Sequence, residues 1–327
     1  MKVVIPAAGE GKRLRPYTLW EPKPMLFVAG NTILGHIFSM LEGIEIDEYR
    51  MVVNPASKMP EMLEQAYPGK RFSFWVQDSP MGLGHAILQG LSGLADEPVL
   101  VLLSDTIIPF DLREALSILG SDEGFLIAKE VDDPRSFGVI EKKGNYVSNL
   151  IEKPKEPKSR LAICGIYYLA SVKRLRKAVE QLIDKNIRTS GEYQLTDALS
   201  ILIDEGEKLR TVEVETWIDC GTPSALVQAN RILLEGNSRI VPVDGSLIKP
   251  PCWIADNVII ENSIIGPYVS IDSDAVVTDS ILSDCIINRN AEVRGVVLKE
   301  SIVGFEGVLK REGLSTDVGP YSRLENL

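Results

Sequence analysis

Short apolar runs separated by amphipathic stretches fill the first 235 or so residues, and the pattern predicts strands and helices in alternation. Val3-Val4-Ile5, Met51-Val52-Val53, Phe72 to Val76 and Val99 to Leu103 are β-branched or continuously apolar, as strands buried on both faces must be. Between them, Asn31-Thr32 can cap a helix whose apolar face is Ile33, Leu34, Ile37, Phe38 and Leu41. Gly82 to Leu94 and Asp111 to Leu119 read as two further helices. This alternation predicts an α/β domain, a Rossmann-like and mostly parallel sheet with helices on both faces. In such sheets ligands bind at the carboxyl ends of the strands.

After about residue 240 the helical period stops, and Ile and Val recur between Asn, Asp, Ser and Gly. The branched positions fall six apart in groups of three: Ile248, Ile254, Ile260; Ile265, Ile271, Val277; Ile281, Ile287, Val293; Val297, Val303, Leu309. Three six-residue edges per turn, each pointing one aliphatic side chain inward, is the arithmetic of a short left-handed parallel β-helix. A β-sandwich would alternate by two, and that alternation is poor here. The expected domains are therefore residues 1–238 and residues 239–327.

Charge and cysteine content narrow the function. Lys and Arg number 35 against 46 Asp and Glu, a net charge of -11, and so acidic a surface repels nucleic-acid backbones. Any phosphate must be held by a few local cations. The four cysteines, Cys164, Cys220, Cys252 and Cys285, form no C-x-x-C pair and read as reduced thiols. Met1 to Gly9 is too short an apolar run for a secretory signal, and no run approaches the roughly 18 residues that span a bilayer. A soluble, cytoplasmic protein is expected, with no membrane partner.

Candidate chemistry begins at Pro6-Ala7-Ala8-Gly9-Glu10-Gly11-Lys12-Arg13-Leu14-Arg15-Pro16, followed by Pro22-Lys23-Pro24-Met25. A strand, a glycine loop and then cations is a phosphate-binding order, because glycines let backbone N–H groups approach phosphate oxygens. A dinucleotide fingerprint would need glycine at 14, where Leu14 stands. A Walker A loop would need glycine at 6 and Ser or Thr at 13, where Pro6 and Arg13 stand. Val99 to Asp105 is a buried strand with a carboxylate at its C-terminal end, and Trp217-Ile218-Asp219-Cys220-Gly221-Thr222 presents another before a helix. Taken alone, each carboxylate reads as a helix cap or a solvated turn.

These residues together resemble the sugar-1-phosphate nucleotidylyltransferases, or NDP-sugar pyrophosphorylases, especially the glucose-1-phosphate uridylyl- and thymidylyltransferases. The resemblance rests on Gly9, Gly11, Arg13-Leu14, Pro16, Thr18 and Pro22-Lys23-Pro24, and continues in order through most of the first 235 residues. It implies an enzyme that joins an NTP to a sugar-1-phosphate, with Arg13 and Lys23 as catalytic cations. It implies nucleotide contacts at Ala8, Gly9, Gly11, Gln77 and Gly82, and sugar-phosphate contacts at Gly138, Glu152, Lys153 and Gly165. It assigns Mg²⁺ to Asp105 and Asp219. Ser104 stands where the family usually has Gly. A Gln amide at 77 can donate to a keto oxygen and accept from the adjacent ring N–H, a pair found on uracil, thymine and guanine. UTP or dTTP, glucose-1-phosphate and a homo-oligomer are the expectations that follow. Gly191 to Asp197 is a weaker match, read mainly as a helix start, and His85 reads as a packing residue.

Two other readings are weaker. Left-handed β-helices often carry acyltransferase sites that need a histidine, yet the two histidines here, His36 and His85, both lie in the first domain. A silent regulatory subunit of the same fold would typically lose its phosphate cations or metal carboxylates, and Arg13, Lys23, Asp105, Lys153 and Asp219 are all present.

Overall fold

The computed structural model describes residues 1–311; residues 312–327 of the expected 239–327 domain lie outside the described residues. Two compact units divide the chain: residues 1–26 with 31–225, and residues 27–30 with the chain from Leu226 onward.

Strands up to residue 219 are β1 (Lys2–Pro6), β2 (Phe27–Val28), β3 (Asn31–Thr32), β4 (Glu48–Val53), β5 (Phe72–Val76), β6 (Val99–Leu102), β7 (Thr106–Ile107), β8 (Glu123–Glu130), β9 (Gly138–Lys143), β10 (Tyr146–Glu152), β11 (Leu161–Leu169), β12 (Lys208–Glu213) and β13 (Ile218–Asp219). Nine of them form one sheet in the order β5-β4-β1-β6-β11-β8-β12-β10-β9. The first four run parallel, as their continuous apolar character predicts. The sheet as a whole is mixed, which corrects the mostly parallel expectation. β11 enters antiparallel between β6 and β8, and β9 and β10 form a hairpin turned at Gly144-Asn145. The nine apolar-rich residues of β11 are nearly all buried, and such a run carries no signal of strand direction.

Helices cover the sheet. α1 (Ile33–Ser39) is capped by Thr32, whose Oγ1 accepts from Gly35 N at 2.9 Å, as the Asn31-Thr32 pair predicts. α3 (Leu83–Gly90), α5 (Val172–Asp184) and α6 (Leu195–Asp204) pack together against one face. In α5, Leu175, Ala178, Val179 and Leu182 recur at helical spacing and are fully buried. They meet Val4, Val101 and Leu126, while the alternate positions Val3, Ile5 and Phe125 fill the other face. Each such Val, Leu, Ile or Phe side chain contributes about 1.5–3 kcal/mol on leaving water. Among the described residues no helix is long and apolar enough to cross a membrane.

In the second unit each strand pairs parallel with a residue one coil on. Ile248 lies beside Ile265, Ile265 beside Leu282 and Leu282 beside Leu298. A second column runs Ile254, Ile271, Ile287, Val303, and a third runs Ile260, Val277, Val293, Leu309. Two expected inward positions are corrected. Leu282 is fully buried and Ile281 is 45% exposed; in the next coil Leu298 takes the inward column and Val297 is 75% exposed. The repeat shortens from 17 to 16 residues there, because Ser283-Asp284 turns a corner that takes three residues, Gly266-Pro267-Tyr268, one coil earlier. A strict spacing of six cannot follow that change. α7 (Pro223–Gly236) brings Asn230 into this unit, where it accepts from Ala29 N and Ser270 Oγ and donates to the Tyr268 carbonyl.

All four cysteines are fully buried. Burial pushes the Cys164 thiol up to about 12 and those of Cys252 and Cys285 up to about 11, and also raises Cys220. Thiolate is the reactive form, so a chromogenic disulfide reagent should titrate no thiol in the native protein and all four after denaturation. A thiol that reacts within seconds in the native state would contradict this burial.

Candidate active site

The carboxyl ends of the four parallel strands open into one cleft of about 1100 Å³. β1 delivers the loop Ala7 to Arg13, β4 delivers Asn54, β5 delivers Gln77 and β6 delivers Leu103-Ser104-Asp105, all of which line it. Short bonds tie these ends together. Gln77 N donates to Val53 O at 2.9 Å, Ala7 N donates to Val52 O at 2.7 Å, and Ser104 Oγ donates to Pro6 O at 2.8 Å. Ser104 thus fits the loop through its hydroxyl. The glycine loop folds over Thr18, whose Oγ1 donates to Gly11 O at 2.9 Å.

Cations and carboxylates meet at one end of the cleft. Lys23 heads a short 3-10 turn, Lys23–Met25, and its Nζ sits 2.6 Å from Asp105 Oδ2. β7 and β13 pair antiparallel with Thr106 beside Asp219, and Cys220 N donates to Asp105 O at 3.1 Å, which brings the two aspartates together. Gly221 follows; a Cβ there would stand 3.0 Å from Arg13 Nη2 and from both Asp219 carboxylate oxygens, so a larger residue would have to push these charged ends aside by a few tenths of an ångström. The Asp219 carboxyl is pushed up by burial and by the like charge of Asp105, against the opposing pull of Lys23 and Arg13. Two carboxylates that repel each other beside cations form a donor set that fits a hard divalent cation completed by phosphate oxygens and water.

A second cluster gathers the other expected residues. Glu152 and Gly138 are register partners across β9 and β10, and Thr196 at the start of α6 donates to Glu152 Oε2 at 2.8 Å. Lys153 N donates to Phe137 O at 2.9 Å, and Lys153 Nζ lies 3.5 Å from Glu152 Oε1. Lys153 holds φ +46, a left-handed backbone that costs a non-glycine residue energy. Gly165 on β11 accepts from Leu103 N at 2.9 Å, behind the cleft wall. The buried Tyr167 hydroxyl is held neutral by burial first, then by the negative charges of Glu152 and Asp105.

One stretch joins the two sides. Tyr193 N donates to Met81 O at 2.9 Å, Tyr193 O accepts from Gly84 N at 2.8 Å, and Thr196 three residues on holds Glu152. Gly82 takes φ +110 there, and a Cβ on it would stand 2.7 Å from Tyr193 O. Gln77 is turned inward: its Nε2 donates to Gly82 O at 3.1 Å and faces His85 Nδ1 at 3.0 Å. Both of its N–H groups are therefore used inside the protein, and its oxygen is the end left for a ligand. This differs from the donor-plus-acceptor role read from the sequence.

The cleft itself contains Ala8, Gly9, Gly11, Arg13, Lys23, Gln77 and Asp105; Asp219 joins through Gly221, Gly138, Glu152 and Lys153 form the second group, and Gly165 lies against Leu103 of the cleft wall. Asn54 was not singled out in the sequence, and Glu192 and Thr196 entered only within the weaker Gly191 to Asp197 match, read mainly as a helix start. Asn54 follows a strand that was recognised, so the strand-end rule could have found it; Thr196 needs a contact across 44 residues.

A family model for nucleotidyl transferases matches residues 2–236. The chain belongs to the nucleotidyl transferase family. This nucleotidyl transferase is 28% identical to the glucose-1-phosphate thymidylyltransferase of Streptomyces griseus, over 93% of its own chain and 92% of that one. It is 31% identical to the bifunctional protein GlmU of Methanococcus vannielii, over 92% of its own chain and 74% of the relative. A solved structure from Bacillus anthracis, described as a candidate glucose-1-phosphate thymidylyltransferase in complex with a sucrose, superposes with a TM-score of 0.62. That match is 26% identical and covers 74% of this nucleotidyl transferase and 98% of that chain.

Proposed function

We propose that the protein transfers a nucleotidyl group from an NTP to a sugar-1-phosphate, releasing pyrophosphate. A sugar-phosphate oxygen attacks the α-phosphorus in line; the new P–O bond forms as the bond to the β-phosphate oxygen breaks, and its electron pair leaves with pyrophosphate. The nucleophile is already an anion near neutral pH, so no general base is needed, and the barrier is repulsion between two polyanions. Catalysis is then positioning and charge neutralisation. The observation that carries this reading is the convergence of the glycine loop, Arg13, Lys23, Gln77 and Asp105 at the carboxyl ends of four parallel strands.

In this division of labour Ala8, Gly9 and Gly11 cradle the triphosphate, Arg13 neutralises the departing pyrophosphate and Lys23 screens the α-phosphate. Asp105 and Asp219 would hold Mg²⁺, which would supply further charge neutralisation to the phosphates. Gln77 and the backbone at Gly82 hold a base with a ring N–H, favouring UTP or dTTP. Glu152 accepts from sugar hydroxyls, Lys153 pairs with the sugar's phosphate, and Gly138 and Gly165 leave room at the ring. Glucose-1-phosphate is the favoured sugar, since it is named for the Streptomyces relative; the archaeal relative of GlmU type makes N-acetylglucosamine-1-phosphate the second choice. We assign catalysis to residues 1–238 and read the repeats from Ile248 to Leu309 as a left-handed β-helix that pairs subunits in a homo-oligomer. Four buried, unpaired thiols suit the cytoplasm.

Lys153→Ala tests the assignment. It should raise the KM for sugar-1-phosphate by about 10–100-fold, the worth of one hydrogen bond to a charged group, and leave the KM for NTP within about twofold. Equal effects on both substrates would argue against it.

A further inference from the structure

We propose that His85 is a positioning residue that makes Gln77 a one-way acceptor and thereby sets the choice of base; this rests on the reading of Gln77 as the base-contacting residue. The argument starts from a fixed acceptor. The Gly82 carbonyl already accepts from Ala86 N at 3.1 Å, so it can only face a donor. Gln77 therefore turns its nitrogen toward Gly82 O, because the opposite amide orientation would set two oxygens 3.1 Å apart. The second amide N–H then points at His85 Nδ1, 3.0 Å away, which must be the unprotonated ring nitrogen. His85 Nε2 carries the proton and faces the Gln89 side-chain amide at 3.3 Å, and that amide turned end for end gives it an acceptor. Burial lowers the basicity of His85 and keeps the ring neutral.

An unrestrained glutamine can present either end to a ligand. Held at both N–H groups, this one offers only oxygen, and it is 7% exposed, with no room to turn freely. Uracil and thymine present N3–H and guanine presents N1–H to such an acceptor. Cytosine and adenine present a lone pair at the corresponding ring nitrogen, and oxygen against lone pair is repulsive. Base choice is thus enforced by the group behind Gln77 as much as by Gln77 itself.

The test compares kcat/KM for UTP and CTP with saturating glucose-1-phosphate in four proteins: the natural enzyme, His85→Leu, His85→Asn and Gln77→Leu. His85→Leu removes the acceptor; the expected result is a UTP-over-CTP preference narrowed by about tenfold, the scale of one hydrogen bond, through KM for the nucleotide. The KM for glucose-1-phosphate should stay within about twofold. His85→Asn places an amide oxygen where Nδ1 stood and should restore the preference. A narrowed preference in His85→Leu with recovery in His85→Asn supports the proposal. An unchanged preference in a folded His85→Leu, or no recovery in a folded His85→Asn, overturns it. If Gln77→Leu also leaves the preference unchanged, it is the placement of the base at Gln77 that falls.

Discussion

Replacing Lys23 by Met should lower kcat by about 10²–10³-fold, the usual cost of deleting one preorganised group aimed at developing charge. Its ammonium is 2.6 Å from Asp105 and lies beside the loop that would hold the triphosphate. The side chain is 13% exposed, so water cannot replace the lost charge well. The same change removes a competitor for the carboxylates. With Lys23 gone, Asp105 and Asp219 repel each other with less screening, Arg13 still opposing it, and the concentration of Mg²⁺ giving half-maximal rate should fall. A steady-state titration of metal reads both effects at once. A variant with near-normal kcat would remove Lys23 from the chemistry. A variant that is slow but has an unchanged metal requirement would separate Lys23 from the cation site.

Asp219→Asn should be comparably severe for turnover while leaving the protein at least as stable. The Asp219 carboxyl is held above its ordinary range by burial and by Asp105, so in the folded state its charged form is disfavoured. For an acid whose folded value is raised, the destabilisation is fully present above that value and fades as pH falls toward the unfolded value. Near neutral pH, asparagine relieves the repulsion, and the melting temperature without metal should hold or rise. Activity should drop by about 10²–10³-fold and demand much more Mg²⁺. Full activity in Asp219→Asn, or turnover that survives complete chelation, would defeat the placement of the cation. A sharp loss of stability would instead give Asp219 a structural role.

Much of this architecture could be read from residue order. Val3-Val4-Ile5, Met51 to Val53, Phe72 to Val76 and Val99 to Leu102 lie in strands because their runs are apolar, broken only by Ser73, and all four run parallel in one sheet. Candidate chemistry at their carboxyl ends was legible for the same reason: Gly9, Gln77 and Asp105 each come within three residues of the end of a strand. Direction was not legible. Nothing in Leu161 to Leu169 distinguishes a parallel from an antiparallel neighbour, and the pairing with β6 comes from the whole sheet. Register failed at Ile281, where one residue missing from a corner moves the inward position to Leu282. Side chains that act through another residue were hidden too. Thr196 steadies Glu152 from 44 positions away, and His85 meets Gln77 only after a loop and a turn of helix close on each other.

The short stretch from Glu192 to Thr196 holds the Met81 to Gly84 loop with its backbone and Glu152 with a hydroxyl. Attempts to redesign this catalyst for a foreign sugar by mutating that stretch will therefore disturb nucleotide preference as well, and changes made for a new base will carry over to the sugar. Variants that broaden both tolerances together should be easier to isolate than variants that broaden one, and independent retargeting calls for substitutions elsewhere on the cleft rim.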